Sequence, residues 1–422
     1  MDYYIADLTK NRTSTDGSIM GKVHDFKVEM RLHEQNKLNV YKKYPQLTAC
    51  DREVTVYDRH HNVEKKVILF GSNSYLGATN SKTAIEKSIK ATIEMGIGSG
   101  GVPLLTGTTK YQNELEEKLS KLSGFDDTIL FSSGYTANLG VISGLIRKNN
   151  LVIHDKLDHA SLLDGTIMCG AKMLRYKHGD INDLEVLLSQ NIDKYPHGIL
   201  VVTDGVFSMD GDIANIPAIL NLVKKYNSML LIDEAHAVGV IGEKGAGTLS
   251  HYGIEERENI IITGTLSKAI GTLGGYISGS QEIIDYLRIY ARSNMFSTSL
   301  PPSICAAAEE VISNMSGTDI VQVLREKSKY LRTQLIKEGF NILNSQTPII
   351  PVIVGNPYIL TQMVNEAFSH GFLLNAIFPP AVPANMTRFR ISVMATHTKE
   401  DMDTLVQLLV KLFDKYEVKR YS

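Results

Sequence analysis

Cysteine is scarce in this sequence. The 422 residues include three cysteines, Cys50, Cys169 and Cys305, and they are widely separated. Disulfide frameworks and structural zinc sites need cysteines in pairs or close clusters, so this spacing argues against both. Free thiols persist in a reducing compartment, and we therefore expect a cytoplasmic protein.

Strong net charge and long apolar segments are also missing. The formal net charge is -2, and no run of lysine or arginine is long enough to form a basic patch. Nucleic acid and anionic membranes are therefore not expected partners, and small molecules are. No apolar stretch reaches the roughly 20 residues that span a bilayer, which predicts no integral membrane segment. The polar start MDYYIADLTKNRTSTDG does not resemble a signal peptide, and peripheral membrane contact stays open.

The composition is that of an ordinary soluble enzyme, with 43% hydrophobic and 21% charged residues. This is enough for two or three packed units. We predict a polar N-terminal arm or subdomain over residues 1–66, a large domain over 67–300 and a smaller α+β C-terminal domain over 301–422. Within the arm, residues 20–44 are predicted to form a helix, which is followed by the short extended segment EVTVYD.

Six short apolar runs, separated by segments of helical character, indicate the fold class. They are TILFSSG, LVIHD, GILVVTDG, MLLIDEAH, NIIITGTLSK and GGYISG. This alternation predicts an α/β fold with a mostly parallel central sheet and helices on both faces. Ligands of such sheets bind beyond the carboxyl ends of the strands. We therefore expect one pocket shared by the polar strand ends at Ser133–Gly134, His154–Asp155, Asp204, Asp233–His236 and Thr265–Lys268.

Lys268 and Asp233 form the most informative pair. A lysine after an apolar strand is usually an ordinary solvated residue, and Lys268 would be one if it stood alone. Asp233, however, directly follows the buried run LLI, where a carboxylate needs a cationic partner. A lysine that carries pyridoxal 5′-phosphate as a Schiff base, with an aspartate on the ring nitrogen, explains both residues. Gly134 and Tyr135 offer backbone N–H groups for the phosphate, although a plain tight turn would also explain them.

Other interpretations of the same segments are weaker. DEAH at Asp233–His236 would need a loop of the form GxxxxGK[ST] to be a helicase signature, and the sequence contains none. His154, Asp155 and His159 lack the helical HExxH spacing, so no metal is expected. GIGSGG, at residues 96–101, follows no clear strand and is a weak dinucleotide signal. A structural role for the histidine of DEAH stays open.

Nine segments in their usual order resemble the α-oxoamine synthases, which are fold type I, aspartate-aminotransferase-like enzymes that use pyridoxal 5′-phosphate. They are GSNSYLG, GSGG…LTGT, FSSGYTAN, DHASLLDG, TDGVFSMDGD, IDEAHAVGVIGEKGAG, TGTLSKAIGTLGG, FSTSLPP and PPAVPANMTRFRISV. Members include 8-amino-7-oxononanoate synthase, glycine C-acetyltransferase, 5-aminolevulinate synthase and serine palmitoyltransferase. The resemblance implies condensation of glycine, alanine or serine with acyl-CoA or an acyl carrier protein, usually with decarboxylation, to give an α-amino ketone.

The resemblance also implies a role for each matching residue. Lys268 would form the Schiff base and move the α-proton, with Asp233 at the pyridinium nitrogen and His159 against the ring face. His236 would lie near the ring hydroxyl, and Ser208 would line the cofactor. The other implied contacts are Gly134, Tyr135 and Thr265 to the phosphate, Ser297 and Thr298 to the neighbouring subunit's phosphate in a homodimer with shared active sites, and Asn73 and Arg390 to the amino acid.

Several positions depart from the family pattern. Val102 and Pro103 follow GSGG, where a small hydroxyl residue and arginine are usual, and this leaves both substrates open. Gln112 replaces a usual histidine, and Ala381 gives PPAVP instead of PPTVP. Aminotransferase or lyase chemistry on the same cofactor stays an alternative. So does a non-catalytic partner subunit, although Lys268 argues against it.

Overall fold

The computed structural model describes residues 17–35, 44–196 and 198–420. Contacts within the chain divide it into two compact units. The larger unit consists of the described residues of Asn73–Ser208 and Asp212–Arg325, and the smaller unit of those of Met1–Ser72, Met209–Gly211 and Glu326–Ser422. The division into segments 1–66, 67–300 and 301–422 stays a prediction.

The strands of the described residues are β1 (Glu53–Asp58), β2 (Val63–Leu69), β3 (Asp127–Phe131), β4 (Leu151–Asp155), β5 (Lys172–Tyr176), β6 (Ile199–Asp204), β7 (Met229–Asp233), β8 (Ile260–Thr265), β9 (Gly275–Gly279), β10 (Ile349–Ile353), β11 (Phe372–Leu373), β12 (Asn375–Ile377) and β13 (Arg388–Ser392). The α-helices are α1 (Ile19–Gln35), α2 (Lys82–Met95), α3 (Lys110–Ser123), α4 (Gly134–Leu145), α5 (Ala160–Cys169), α6 (Ile181–Asn191), α7 (Ile216–Lys225), α8 (Thr248–His251), α9 (Gln281–Tyr290), α10 (Arg292–Met295), α11 (Pro302–Gly317), α12 (Ile320–Lys337), α13 (Pro357–Ser369) and α14 (Lys399–Lys415).

The larger unit is built on a seven-stranded sheet with the order β3-β9-β8-β7-β6-β4-β5. The pairs from β8 through β7, β6 and β4 to β5 are parallel, and β9 is antiparallel to both of its neighbours. Every residue of β4, β6 and β8 is buried. Because successive residues of a strand face opposite sides, both faces of the sheet must be covered. The predicted α/β fold with a mostly parallel sheet is confirmed.

The topology brings the polar strand ends to one edge. The parallel strands β4, β6, β7 and β8 end on the same side of the sheet. β3 also ends there, because two successive antiparallel pairings restore its direction. Apolar side chains of α4, α5 and α9 cover one face beneath this edge, among them Val141, Leu162 and Leu287, which are fully buried. Each such side chain contributes about 1.5–3 kcal/mol to folding, so the strands that end at this edge are firmly held.

The smaller unit contains two three-stranded sheets with the orders β1-β2-β11 and β10-β13-β12. The first sheet joins distant parts of the chain, since β2 pairs in parallel with β11. Phe70 stacks on the buried ring of His397, with 3.9 Å between ring centroids. Early and late segments thus form one core.

Helix α1 corresponds to the helix predicted over residues 20–44, of which residues 36–43 lie outside the described part. Among the described helices, none combines the length and the apolar character that a membrane span requires.

Candidate active site

A cavity of about 240 Å³ lies at the carboxyl edge of the sheet of the larger unit. Strands β3, β6, β7 and β8 all deliver residues to it, as the sequence predicted. The lining side chains include predicted and unpredicted residues: Ser133, Gly134, Tyr135, Asn138, His159, Ser161, Asp204, Val206, Asp233, Ala235, His236, Thr265, Ser267, Lys268, Leu273 and Gly274.

The end of β4 does not line this cavity, and that part of the expectation was wrong. His154 is fully buried and bonds through its two ring nitrogens to Asp158 (3.0 Å) and Thr166 (2.9 Å). Burial lowers the pKa of His154 to about 3, so the ring is neutral. Asp155 accepts hydrogen bonds from His178 and from the backbone of Gly179. Both side chains therefore hold the sheet edge together, while His159, four residues beyond Asp155, reaches the cavity.

The N-terminus of α4 forms one end of the cavity. Ser133 caps the helix, and its hydroxyl accepts from the backbone N–H of Thr136 at 3.1 Å. Gly134 and Tyr135 are the first two helical residues, so their N–H groups have no acceptor within the helix. The hydroxyl of Thr265 lies close by, bonded to Ser267 and to the carbonyl of Gly274. Free N–H groups with the positive end of a helix dipole suit a phosphate.

Asp233 is 6% exposed, and each of its carboxylate oxygens accepts a hydrogen bond. Oδ1 accepts from the backbone N–H of Ala235 at 2.8 Å, and Oδ2 accepts from the side-chain amide of Asn138 at 2.7 Å. Each carboxylate oxygen keeps a further lone pair for a cationic group in the cavity. Lys268, half-buried, lines the same cavity.

His236 is buried and shares a hydrogen bond of 2.8 Å between its Nδ1 and the hydroxyl of Tyr75. The hydroxyl of Tyr75 in turn donates to Oδ1 of Asn73 at 3.4 Å. The predicted residues Asn73 and His236 are thus linked through a tyrosine that sequence reasoning missed. Its signal was present, because Tyr75 lies in the GSNSYLG segment.

Asp204 is a second carboxyl group of the cavity. Its Oδ1 accepts from the backbone N–H of His159 at 3.3 Å, and its own N–H donates to Asp158 at 3.1 Å. Burial, reinforced by the charge of Asp233, raises the pKa of Asp204 well above its usual range. Burial and the charge of Asp204 likewise raise the pKa of Asp158 well above its usual range. The cavity thus contains two carboxyl groups, of which Asp204 is biased toward its protonated form.

The remaining predicted residues lie elsewhere. Ser297 and Thr298 line a separate cavity of about 350 Å³ in the larger unit, together with Gln112 and Pro103. Ser208 is half-buried, two residues after the lining residue Val206. Arg390 belongs to the smaller unit, where it is buried on β13 and donates to the hydroxyl of Ser392 at 3.2 Å. The structure therefore brings seven of the predicted site residues to one cavity, and the role of every predicted site residue stays a prediction: Gly134, Tyr135, His159, Asp233, His236, Thr265 and Lys268.

A lysine, a carboxylate and two histidines around one cavity, at the carboxyl edge of this sheet, define a transferase of fold type I, the aspartate-aminotransferase-like class. The chain belongs to the aminotransferase class I and II family, whose model matches residues 65–409.

Two curated relatives indicate which members of this family the chain resembles. The 8-amino-7-oxononanoate synthase of Thermoanaerobacter pseudethanolicus is 39% identical over 395 residues, covering 93% of this chain and 98% of that protein. The serine palmitoyltransferase of Sphingobacterium spiritivorum is 39% identical over 358 residues, covering 84% of this chain and 88% of that protein. These names confirm the resemblance to the α-oxoamine synthases.

Solved structures agree with this assignment. The serine palmitoyltransferase of Sphingomonas wittichii superimposes with a TM-score of 0.88 at 30% identity, covering 95% of this chain and 99% of that one. A second serine palmitoyltransferase structure, described as containing a PLP internal aldimine, has a TM-score of 0.88 at 29% identity and covers 95% of this chain and 100% of its own.

Proposed function

We propose that this chain binds pyridoxal 5′-phosphate and joins a small amino acid, glycine, alanine or serine, to an acyl thioester, usually with loss of carbon dioxide. The product is an α-amino ketone. The observation that carries the proposal is that Lys268, Asp233 and His159 line one cavity with the N-terminus of α4. The relatives that match over most of the chain carry the names of enzymes of this type.

The residues present fit the cofactor. Its phosphate would be held by the N–H groups of Gly134 and Tyr135, with Thr265 beside them. A β-carbon on Gly134 would lie 3.0 Å from Cβ of Thr265, so glycine keeps the backbone accessible there. Asp233 would hold the protonated ring nitrogen. When bound, the cofactor supplies an electron-withdrawing ring that makes the α-hydrogen of an attached amino acid acidic.

Each of the remaining side chains has its own proposed role. Lys268 would hold the cofactor through its amine, and its Nζ would carry the α-proton of the substrate. Asp233, which accepts from the N–H groups of Ala235 and Asn138, would balance the ring cation. His159, which lines the same cavity, is proposed to lie against the ring face of the cofactor. Arg390 is proposed to hold the carboxylate of the amino acid, and Asn73 is a second proposed substrate residue.

The proposal extends to the assembly and its location. Large apolar side chains on the larger unit, including Ile93 (82% exposed), Ile97 (87%) and Phe296 (67%), are suited to burial against a second copy. A homodimer would place Ser297 and Thr298, the neighbours of Phe296, near the partner's phosphate. The cysteines Cys50, Cys169 and Cys305 are free thiols, which fits the cytoplasm.

Absorption spectroscopy and a thiol-release assay test the proposal. Purified protein with added cofactor is expected to show a visible band that the Lys268→Ala variant lacks, while Lys224→Ala, at an exposed lysine paired with Glu256, retains it. Acyl-CoA with the correct amino acid should release free thiol, because the acyl group leaves its sulfur. A colourless wild type would overturn the cofactor assignment. Cofactor binding and amino-group transfer without thiol release would favour an aminotransferase.

A further inference from the structure

Asn138 lies at the centre of a buried hydrogen-bond network under the cavity. Its Nδ2 donates to Oδ2 of Asp233 (2.7 Å) and to the hydroxyl of Ser161 (2.8 Å), and its Oδ1 accepts from the hydroxyl of Thr263 (2.6 Å). Asn138, Ser161 and Thr263 are at most 2% exposed. A carboxylate only accepts, so the amide nitrogen must face Asp233, and the orientation of Asn138 is fixed.

The network continues to His159. The hydroxyl of Ser161 lies 2.7 Å from Nδ1 of His159, and the backbone N–H of Ser161 points at the same nitrogen from 3.4 Å. A backbone N–H can only donate, so Nδ1 is an acceptor, and the hydroxyl of Ser161, which also accepts from Asn138, then directs its own proton at Nδ1. Two donors that converge on Nδ1 leave no room for a proton there. His159 therefore carries its proton on Nε2.

We propose that Asn138 and Ser161 are positioning residues that hold His159 as a neutral imidazole with its proton on Nε2. The proposal deepens the proposed function, because His159 lines the cavity in which the reaction would occur. It means that His159 presents an N–H donor to an acceptor atom in the cavity and is not a base at Nδ1. It also means that Asp233 and His159 are joined by three hydrogen bonds through Asn138 and Ser161.

The charged groups around His159 have opposing effects on its pKa. Burial lowers the pKa of His159, and Lys268 acts in the same direction, whereas Asp233 and Asp164 favour the cation. Asp204 accepts from the backbone N–H of His159, and burial raises the pKa of Asp204 well above its usual range. The hydrogen bond that Ser161 donates to Nδ1 stabilises the neutral ring further.

The experiment measures the ring directly. Protein labelled with 15N-histidine and free of cofactor is examined by NMR, and the His159 signals are identified by their loss in His159→Gln. In the wild type at pH 7.5, Nδ1 should give the shift of an unprotonated nitrogen. Ser161→Ala should produce a mixture of tautomers and raise the pKa of His159 by about one unit, because the donor that favours the neutral ring is gone. Asn138→Ala should act in the same direction.

Ser143→Ala is the matched control, since it removes a serine hydroxyl of α4 that donates to the carbonyl of Leu139 outside the network. Its histidine spectrum should equal that of the wild type. An unchanged His159 spectrum in Ser161→Ala would overturn the proposal. If that variant does not fold, a wild-type spectrum with the proton on Nδ1 overturns it equally well. Because the cofactor is absent, the result does not depend on the success of the Lys268 experiment.

Discussion

Gly275 and Ser133 approach so closely that a side chain on the glycine cannot fit between them. A β-carbon at position 275 would lie 2.3 Å from the carbonyl carbon of Ser133 and 2.4 Å from the amide nitrogen of Gly134. The first strand residue of β9 thus sets the position of the helix N-terminus that is proposed to hold the phosphate. Backbone atoms on both sides of the contact leave little scope for relaxation.

Gly275→Ala is therefore expected to lower the free energy of unfolding by about 1–3 kcal/mol and to weaken binding of pyridoxal 5′-phosphate at least about tenfold. The control is Gly279→Ala at the other end of β9, where a β-carbon would lie 3.5 Å from its nearest neighbour, in the side chain of Ile283. It should leave cofactor affinity unchanged. Denaturant unfolding and cofactor titration measure both quantities. Equal cofactor affinities of the two variants would show that the contact does not position the phosphate site.

Tyr75→Phe tests the support of His236. Removing the hydroxyl deletes the 2.8 Å hydrogen bond to Nδ1 and is expected to reduce stability by about 1 kcal/mol. Cofactor affinity should also fall several-fold, since the imidazole lines the cavity. Tyr252→Phe removes a comparable bond, from its hydroxyl to the carbonyl of Ala214 at 3.0 Å, away from the cavity. The Tyr252→Phe control should lose stability while it keeps full cofactor affinity. If it lost as much cofactor affinity as Tyr75→Phe, the role of Tyr75 in supporting His236 would be contradicted.

His178 should make the free energy of unfolding fall as the pH becomes alkaline. Its ring nitrogens lie 2.9 Å from Asp155 and 3.0 Å from Asp212. Burial alone would lower its pKa, but the bonds to the two carboxylates outweigh burial and raise the pKa of His178 to about 10. A raised pKa means that the folded state binds the proton more tightly. The stabilisation is therefore complete below the unfolded pKa of about 6.5 and is lost as the pH rises through about 10.

His178→Gln is accordingly expected to lose about 2 kcal/mol relative to the wild type at pH 6, with the difference shrinking above pH 10. Urea unfolding across this range gives the comparison. His251→Gln serves as the control, because burial and Arg325 lower the pKa of His251. A difference between His178→Gln and wild type that does not change with pH would show that the ion pairs do not stabilise the fold.

The sequence predicted much of the larger unit because the evidence for it is local. Buried apolar runs that alternate with helical segments imply a mostly parallel sheet, and parallel strands place their carboxyl ends together. Asp233, Thr265 and Lys268 therefore had to meet wherever the remaining chain lay. The association of β2 with β11 had no such local signal, since residues of these strands are about 300 positions apart.

The supporting residues of the cavity could not be predicted for a different reason. The role of Asn138 depends on the rotation of α4 over β7 and β8, which brings one amide to Asp233, Ser161 and Thr263 together. His154 shows the reverse case. Its strand-end position suggested the cavity, yet its bonds to Asp158 and Thr166 turn it into the protein interior.

Glu234, the neighbour of Asp233, gives the last prediction. It is 2% exposed, and both of its carboxylate oxygens accept from the backbone N–H of Thr248, at 3.1 and 2.9 Å. Burial raises the pKa of Glu234 to about 7, although the bonds from Thr248 oppose the shift. A carboxyl group with a raised pKa stabilises the folded state below its unfolded pKa of about 4.5, and this contribution is lost as the pH rises through about 7.

Glu234→Gln keeps an acceptor for Thr248 and removes the ionisation. We expect the variant to match the wild type near pH 5 and to exceed its free energy of unfolding by about 2 kcal/mol at pH 8, where the wild type must bury an anion. The exposed Glu243→Gln is the control on the same loop and should show no such pH dependence. If Glu234→Gln were less stable than the wild type at pH 8 by as much as at pH 5, Glu234 would be acting as a hydrogen-bond acceptor alone. Agreement would instead show that the fold tolerates the buried carboxyl of Glu234, next to Asp233, by keeping it protonated at a pH where a free carboxyl group is ionised.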